Sequence, residues 1–424
     1  MLAERLLLFF STLISFVFCD ATSSFEEGIV RNIDRESLSN DILWTLEQHE
    51  SLFGKATKGS SSRHKRQLIQ GKLWPDNTVY YYFDESVTTI WRVLTRKAIK
   101  EISEKTCLQF VEDKTASDRI QVSHGGSCFS SSLGRAGGNQ QIAIGGCTWL
   151  GNVVHELLHT LGVIHTASRS DRDDFLVINR SVSNVDWNNF ITFDDSYNLV
   201  PFEYGSLMMY TAQAASWPKD ESYVGSMGTK IGGFYDIKAV YEHYQCSCPT
   251  EMECFHGGYT SPQTCDKCVC PPGYGGKQCE TAPEEFSRKL TATSEWQTHS
   301  IRFGFDGFSE RIFTTVTFFV EAPADKRIQV EVTEMDGFSC FSPCYWNAFQ
   351  VKHLGDPRQI NELICCNSGD GWNYNYTSKL NPTPVILHSI SGILTFEMRF
   401  RYIDESISAL PTTNNTYDSF RYPA

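Results

Sequence analysis

The chain has no excess of positive charge. Its 424 residues carry a formal charge of −13, and no basic block of useful length follows residue 66. That balance excludes a nucleic-acid partner, whose phosphates need a basic surface. Beyond the first segment there is also no run of about 18 consecutive apolar residues, so no stable membrane insertion is expected. Cysteine is missing from residues 20–66. The glycine- and serine-rich stretch 125–138 lacks the Lys-Ser/Thr ending of a phosphate loop, and an ordinary loop flanking a cleft is expected there.

What is present begins with Met1–Cys19, where Arg5 precedes the apolar run Leu6-Leu7-Leu8-Phe9-Phe10 through Phe18. This reads as a cleaved secretory signal rather than an anchor. Of fifteen cysteines one, Cys19, lies in that signal, and the other fourteen can pair completely. Complete pairing fits an oxidising, extracellular compartment. Three Asn-x-Ser/Thr triplets, at Asn179, Asn375 and Asn414, are glycosylation acceptors consistent with secretion. Residues 20–66 are polar and end in Arg63-His64-Lys65-Arg66 after a serine-rich stretch. A propeptide removed by a proprotein convertase after Arg66 is expected, leaving Gln67 as the new N-terminus.

The richest stretch is His155-Glu156-Leu157-Leu158-His159-Thr160-Leu161-Gly162-Val163-Ile164-His165. Imidazoles at i and i+4 share one face of a helix and can hold one metal ion. Gly162 can turn the chain sharply and bring His165 round as a third nitrogen ligand. Three neutral nitrogens leave one coordination position of Zn2+ open for water, the mark of a catalytic rather than a structural site. Glu156 follows the first ligand and would point at that water. Val153, Val154, Leu157, Leu158 and Leu161 make the helix apolar enough to be buried, where three unpaired imidazoles would be costly.

Around this run, Val79–Phe83, Ile120–Val122 and Gln141–Ile144 have the β-branched and aromatic content of strands. Residues 90–107 show helical spacing, with Ile90, Val93, Leu94, Ala98, Ile99 and Ile102 three and four apart. Six cysteines then crowd into 248–279, a unit too small to fold without staples. Its Gly257-Gly258-Tyr259 and Cys270-Pro271-Pro272-Gly273-Tyr274 resemble an EGF-like module, although Cys265 and Cys268 are closer than usual and leave the pairing open. Alternating runs at 313–320, 328–332, 385–390 and 394–402 predict an all-β domain. Its Cys340, Cys344, Cys365 and Cys366 resemble those of CUB-type sandwiches.

Two further motifs, Arg169-Ser170-Asp171-Arg172-Asp173 and Ser206-Leu207-Met208-Met209-Tyr210, join the histidine run. With Leu133-Gly134-Arg135 and the cysteine positions, they closely resemble the astacin family of secreted metalloendopeptidases, a metzincin branch, from Trp74 to Cys246. The EGF-like and CUB-like tail narrows the resemblance to nematode-type members. It implies an α+β fold: a two-lobed metzincin protease domain with one Zn2+ per subunit at the cleft floor, then a disulfide-rich EGF-like module and a CUB-like sandwich. It implies His155, His159 and His165 as ligands and Glu156 as general base. Met208 would form the turn beneath the metal, and Tyr210 would be a fifth ligand at rest that swings to stabilise the oxyanion. Disulfides Cys107–Cys246 and Cys128–Cys147 are implied as well. The expected segments are a signal (1–19), a propeptide (20–66), the protease domain (67–247), the EGF-like module (248–280), the CUB-like domain (281–402) and a disordered tail (403–424).

The chain departs from the family in places. Thr166 stands where a glutamate normally holds the buried new N-terminus, and Met209 where histidine is common. The prosegment has Phe53-Gly54-Lys55 without the inhibitory aspartate, leaving Glu50 or cleft blocking to keep a zymogen silent. Ala212 and Gln213 follow Tyr210, so the family's preference for an acidic residue after the scissile bond is not carried over. Protein or peptide substrates are expected, with the EGF-like and CUB-like modules binding substrates or extracellular matrix.

Overall fold

The computed structural model describes residues 73–183, 185, 187–193, 198–308, 311–366 and 374–404. The expected signal, propeptide, Arg66 cleavage point, Asn414 and residues 405–424 lie outside the described residues.

The first sheet starts at β1 (Thr78–Phe83), where Val79, Tyr81 and Phe83 alternate inward as a half-buried strand must. It pairs with β2 (Gln109–Glu112), β3 (Arg119–Ser123), β4 (Phe129–Ser130) and β5 (Asn139–Ala143) in the order β2-β1-β3-β5-β4. All pairs are parallel except β4 with β5. The glycine-rich stretch expected to be an ordinary loop therefore contributes a short edge strand. Helix α1 (Thr89–Ser103) is shorter than expected and rotated: Trp91, Leu94, Ala98, Ile99 and Ile102 are buried, whereas Ile90 and Val93 are exposed. At 100° per residue, the stripe set by Trp91, Leu94 and Ala98 turns Ile90 away from the core.

Helix α2 (Leu150–Thr160) is covered on nearly all sides, with every residue from Gly151 to Thr160 buried. Asn152 Oδ1 accepts from the Trp149 backbone N–H at 3.0 Å and closes the helix start. Together α1, α2, the sheet and α3 (Phe234–His243) enclose one core, including Val79, Val122, Ile142, Leu158 and Met208. A second core holds Leu176, Phe190, Phe202, Met209, Tyr210 and Met227. It is flanked by the ribbon β6 (Leu176–Ile178) and β7 (Ser216–Pro218). These are the two lobes. Cys107 is bonded to Cys246 and Cys128 to Cys147.

The cysteine-dense unit pairs Cys248–Cys265, Cys254–Cys268 and Cys270–Cys279, around the ribbon β8 (Tyr259–Thr260) and β9 (Cys268–Val269). First-to-third, second-to-fourth and fifth-to-sixth is the EGF-like order, so the close spacing of Cys265 and Cys268 did not alter it. Tyr259 Oη donates to the Lys105 carbonyl at 2.9 Å and fixes the module against the end of α1.

The CUB-like sandwich has eight strands rather than the four runs expected. One sheet has the order β10-β12-β16-β14, from Ser287–Thr291, Thr314–Glu321, Thr383–Ser389 and Asn347–Val351. The other has the order β11-β17-β13-β15, from Gln297–Phe308, Ser391–Asp404, Lys326–Asp336 and Tyr374–Thr377. Phe318, Val330, Phe349, Leu387, Phe396 and Met398 fill the space between them. Cys340–Cys366 and Cys344–Cys365 staple one end. β17 runs to Asp404, past the expected boundary at 402. No helix among the described residues is long and apolar enough to cross a membrane.

Candidate metal centre

His155 and His159 sit one turn apart on α2 with ring centroids 4.6 Å apart and planes near perpendicular. The helix stops at Gly162, whose φ of +97° is accessible to glycine and strained for other residues. A Cβ there would also meet His243 Nε2 at 2.8 Å. The reversal brings the His165 ring within 4.6 Å of His159 and 5.3 Å of His155, centroid to centroid. One nitrogen from each ring lies within 4.8 Å of the others, and all three residues are buried.

The partners of the remaining nitrogens decide which atoms face that point. His155 Nδ1 is 2.8 Å from the Leu207 carbonyl oxygen and His159 Nδ1 is 2.9 Å from that of Val163. A carbonyl only accepts, so both Nδ1 atoms carry the proton and both Nε2 atoms keep a bare lone pair. His165 Nδ1 is 2.8 Å from Tyr210 Oη, a hydroxyl that can donate or accept. His159 Nε2 and His165 Nε2 then stand 3.1 Å apart. At that separation the two nitrogens can face one shared cation. Three neutral imidazole nitrogens with oriented second nitrogens fit Zn2+.

Glu156 is only 2% exposed, and its Oε1 lies 3.3 Å from Cys128 Sγ. That sulfur is in a disulfide and has no proton to give, so the contact is packing rather than a hydrogen bond. Met208 is buried, and its carbonyl accepts from the Thr166 N–H at 2.8 Å. Tyr210 is buried against Phe190 and His165. Thr166 donates to Ser206 Oγ at 3.1 Å, and Ser206 donates to Asp236 Oδ1 at 2.6 Å. Asp236 also accepts from the N–H groups of Leu207 and Gly233. Burial pushes its carboxyl above the usual range. Neighbouring Glu203 is pushed up to about 8, chiefly by burial and then by the charge of Asp236.

The other motif residues act as braces. Arg169 grips Asp171 through Nε and Nη2 at 2.8 and 2.7 Å and donates to the Val200 carbonyl. Arg172 donates to the Ala167 and Phe190 carbonyls. Gly134 N–H donates to the His159 carbonyl, tying the stretch 133–135 to α2. Asn179 and Asn375 are exposed. Leu207 and Val163 act through backbone carbonyls and leave no mark in the sequence. Asp236 had a weak one, an acidic residue three after Gly233 at a helix start.

An imidazole triad of this kind, seated between two lobes, defines a metzincin-type zinc metallopeptidase. Residues 67–245 match the family model described as Astacin, a peptidase family. The chain is 37% identical over 402 residues to zinc metalloproteinase nas-17 of Caenorhabditis elegans, with 91% of each chain covered. It is 34% identical over 411 residues to zinc metalloproteinase nas-16 of the same organism, again with 91% of each covered. High choriolytic enzyme 1, a hatching enzyme zinc-protease from the medaka fish Oryzias latipes, aligns with a TM-score of 0.39 and 28% identity. That alignment covers 46% of this chain and 100% of the other. The chain belongs to the astacin family of zinc metalloendopeptidases.

Proposed function

We propose that the protein is secreted as a zymogen, matured by a convertase after Arg66, and hydrolyses internal peptide bonds of extracellular proteins. The observation that carries the reading is the set of three imidazoles, each with Nδ1 engaged and Nε2 turned to one point, beside a buried glutamate. His155, His159 and His165 hold the metal. When bound, zinc polarises the scissile carbonyl and lowers the pKa of a water towards ~7. Glu156 takes the proton from the attacking water and delivers it to the leaving amine. Tyr210 rests on His165 and turns its hydroxyl to the developing oxyanion, a contribution of about 3–4 kcal/mol for one donor. Met208 supports the histidines from below.

Strand β4 ends the sheet and begins one residue after Cys128, the residue touching Glu156. Its open edge suits an extended peptide running past the base. The disulfides, the exposed acceptors Asn179 and Asn375, and the leading segment support an extracellular destination. The EGF-like and CUB-like modules bind protein substrates or matrix in this reading.

The test is secretion of the full chain from cultured cells, with the N-terminus and peptide hydrolysis read from the medium. The expected product begins at Gln67 and cleaves peptides, and Glu156→Ala loses at least about 10²-fold in kcat. A Glu156→Ala protein cleaving at the wild-type rate sinks the proposal.

A further inference from the structure

The sandwich does not hang from the protease domain; it is seated on the back of the turn that carries Met208. Three glycines of the protease domain make room for it. A Cβ on Gly205 would lie 2.7 Å from Ile360 Cγ2, one on Gly225 would lie 2.5 Å from the Leu363 carbonyl oxygen, and one on Gly233 would lie 3.0 Å from Ile360 Cδ1. Ile231 of the protease domain shares an apolar cluster with Cys344, Ala348, Ile360 and Leu363 of the sandwich. Backbone groups are exchanged as well: Leu363 N–H donates to Ser226 Oγ and Cys344 N–H to the Gly225 carbonyl, both at 2.9 Å.

One contact is continuous with the histidines. Ile360 N–H donates to Glu203 Oε1 at 2.7 Å. The other oxygen of Glu203 has no hydrogen-bond partner among the described residues. It crowds with Asp236 Oδ2 over Gly233, at 2.5 and 3.3 Å from where a Cβ would sit. Asp236 holds Ser206 Oγ and the Leu207 N–H, and the Leu207 carbonyl accepts from His155 Nδ1. Every link in this series is buried. On the far side of the turn, Tyr345 Oη lies 3.3 Å from Thr211 Oγ1, next to Tyr210.

We propose that the CUB-like sandwich is a positioning element of the zinc site: its loop at Ile360 holds Glu203, which with Asp236 sets the Leu207 carbonyl and hence the ring of His155. Glu203 and Tyr345 are positioning residues, since neither touches substrate or metal. The inference rests on the zinc-peptidase reading, and its test separates the two. Removing the group that orients a metal-bound histidine typically weakens metal holding by 10–100-fold. Matured full-length Glu203→Ala is therefore expected to release zinc to a chelator about tenfold faster than wild type, with kcat lowered by about the same factor and KM little changed. Glu203→Gln keeps an oxygen to accept from Ile360 and is expected to stay within about twofold of wild type on both readings. Tyr345→Phe, which removes one hydroxyl on the sandwich and leaves the protease sequence intact, is expected to lower kcat about threefold. It supplies the answer if Glu203→Ala does not fold. Wild-type zinc release and kcat in Glu203→Ala and Tyr345→Phe, or a Glu203→Gln protein as impaired as the alanine variant, would overturn the inference. A wild-type protein that neither holds zinc nor cleaves peptides would instead sink the reading beneath it.

Discussion

Val163 and Leu207 give the site nothing but carbonyl oxygens, yet they decide which nitrogen of His159 and His155 stays bare. The histidines stand out in the sequence because their chemistry is in the side chain and their spacing fits one helix turn and one reversal, whereas Glu156 is read from its place after the first of them and Tyr210 from the family resemblance. Their orienting partners were not legible, since every residue has a carbonyl and only the folded path says where it points. Thr166 shows the same limit from the other side. The substitution was visible as a departure, but its consequence, a hydroxyl handed to Ser206 and from there to Asp236, depends on residues far along the chain, the first of them 40 positions on. At this scale Tyr210 is the sharpest probe. Tyr210→Phe keeps the ring against Phe190 and loses only the hydroxyl, so kcat is expected to fall about 10²-fold while KM moves less than about threefold. Steady-state kinetics on a short peptide checks this, and an unchanged kcat would remove Tyr210 from the reaction.

Strands divide cleanly into those the sequence announces and those it hides. In the protease sheet β1, β3 and β5 were expected, while β2 and β4, its two edges, were not. In the sandwich the expected runs became β12, β13, β16 and β17, the inner strands, and the four edges β10, β11, β14 and β15 went unseen. An inner strand is covered by neighbours on both sides and reads as a dense apolar run. Edge strands such as Ser287–Thr291 face water and carry polar residues, whereas β14, Asn347–Val351, is buried throughout but short and broken by Asn347 and Gln350. The α2 reversal is the element on which the site most depends. Gly162→Ala forces a Cβ into a left-handed conformation and against His243, a cost above about 1 kcal/mol. Urea unfolding is expected to show that loss together with weaker zinc retention. A variant as stable and as tightly metallated as wild type would mean that the turn relaxes without moving His165.

At the scale of the molecule, the order of the parts was readable from cysteine density and hydrophobic period, and the way they meet was not. Gly205, Gly225 and Gly233 look like loop glycines until the sandwich lies against them. Long-range docking of this kind is set by shape at residues far apart in the chain, and no local pattern encodes it. The consequence is a protease whose catalytic lobe seam is backed by a second domain, with the EGF-like unit pinned to α1 between them. The central claim remains the metal. The measurement that tests it most directly is a zinc titration of matured protein stripped by chelator, with peptide hydrolysis followed at each addition. No hydrolysis is expected without metal, and activity is expected to return linearly and to stop rising at one zinc per chain. Hydrolysis that survives the chelator, or zinc that binds without restoring it, would show that the histidine-held metal does not drive the reaction.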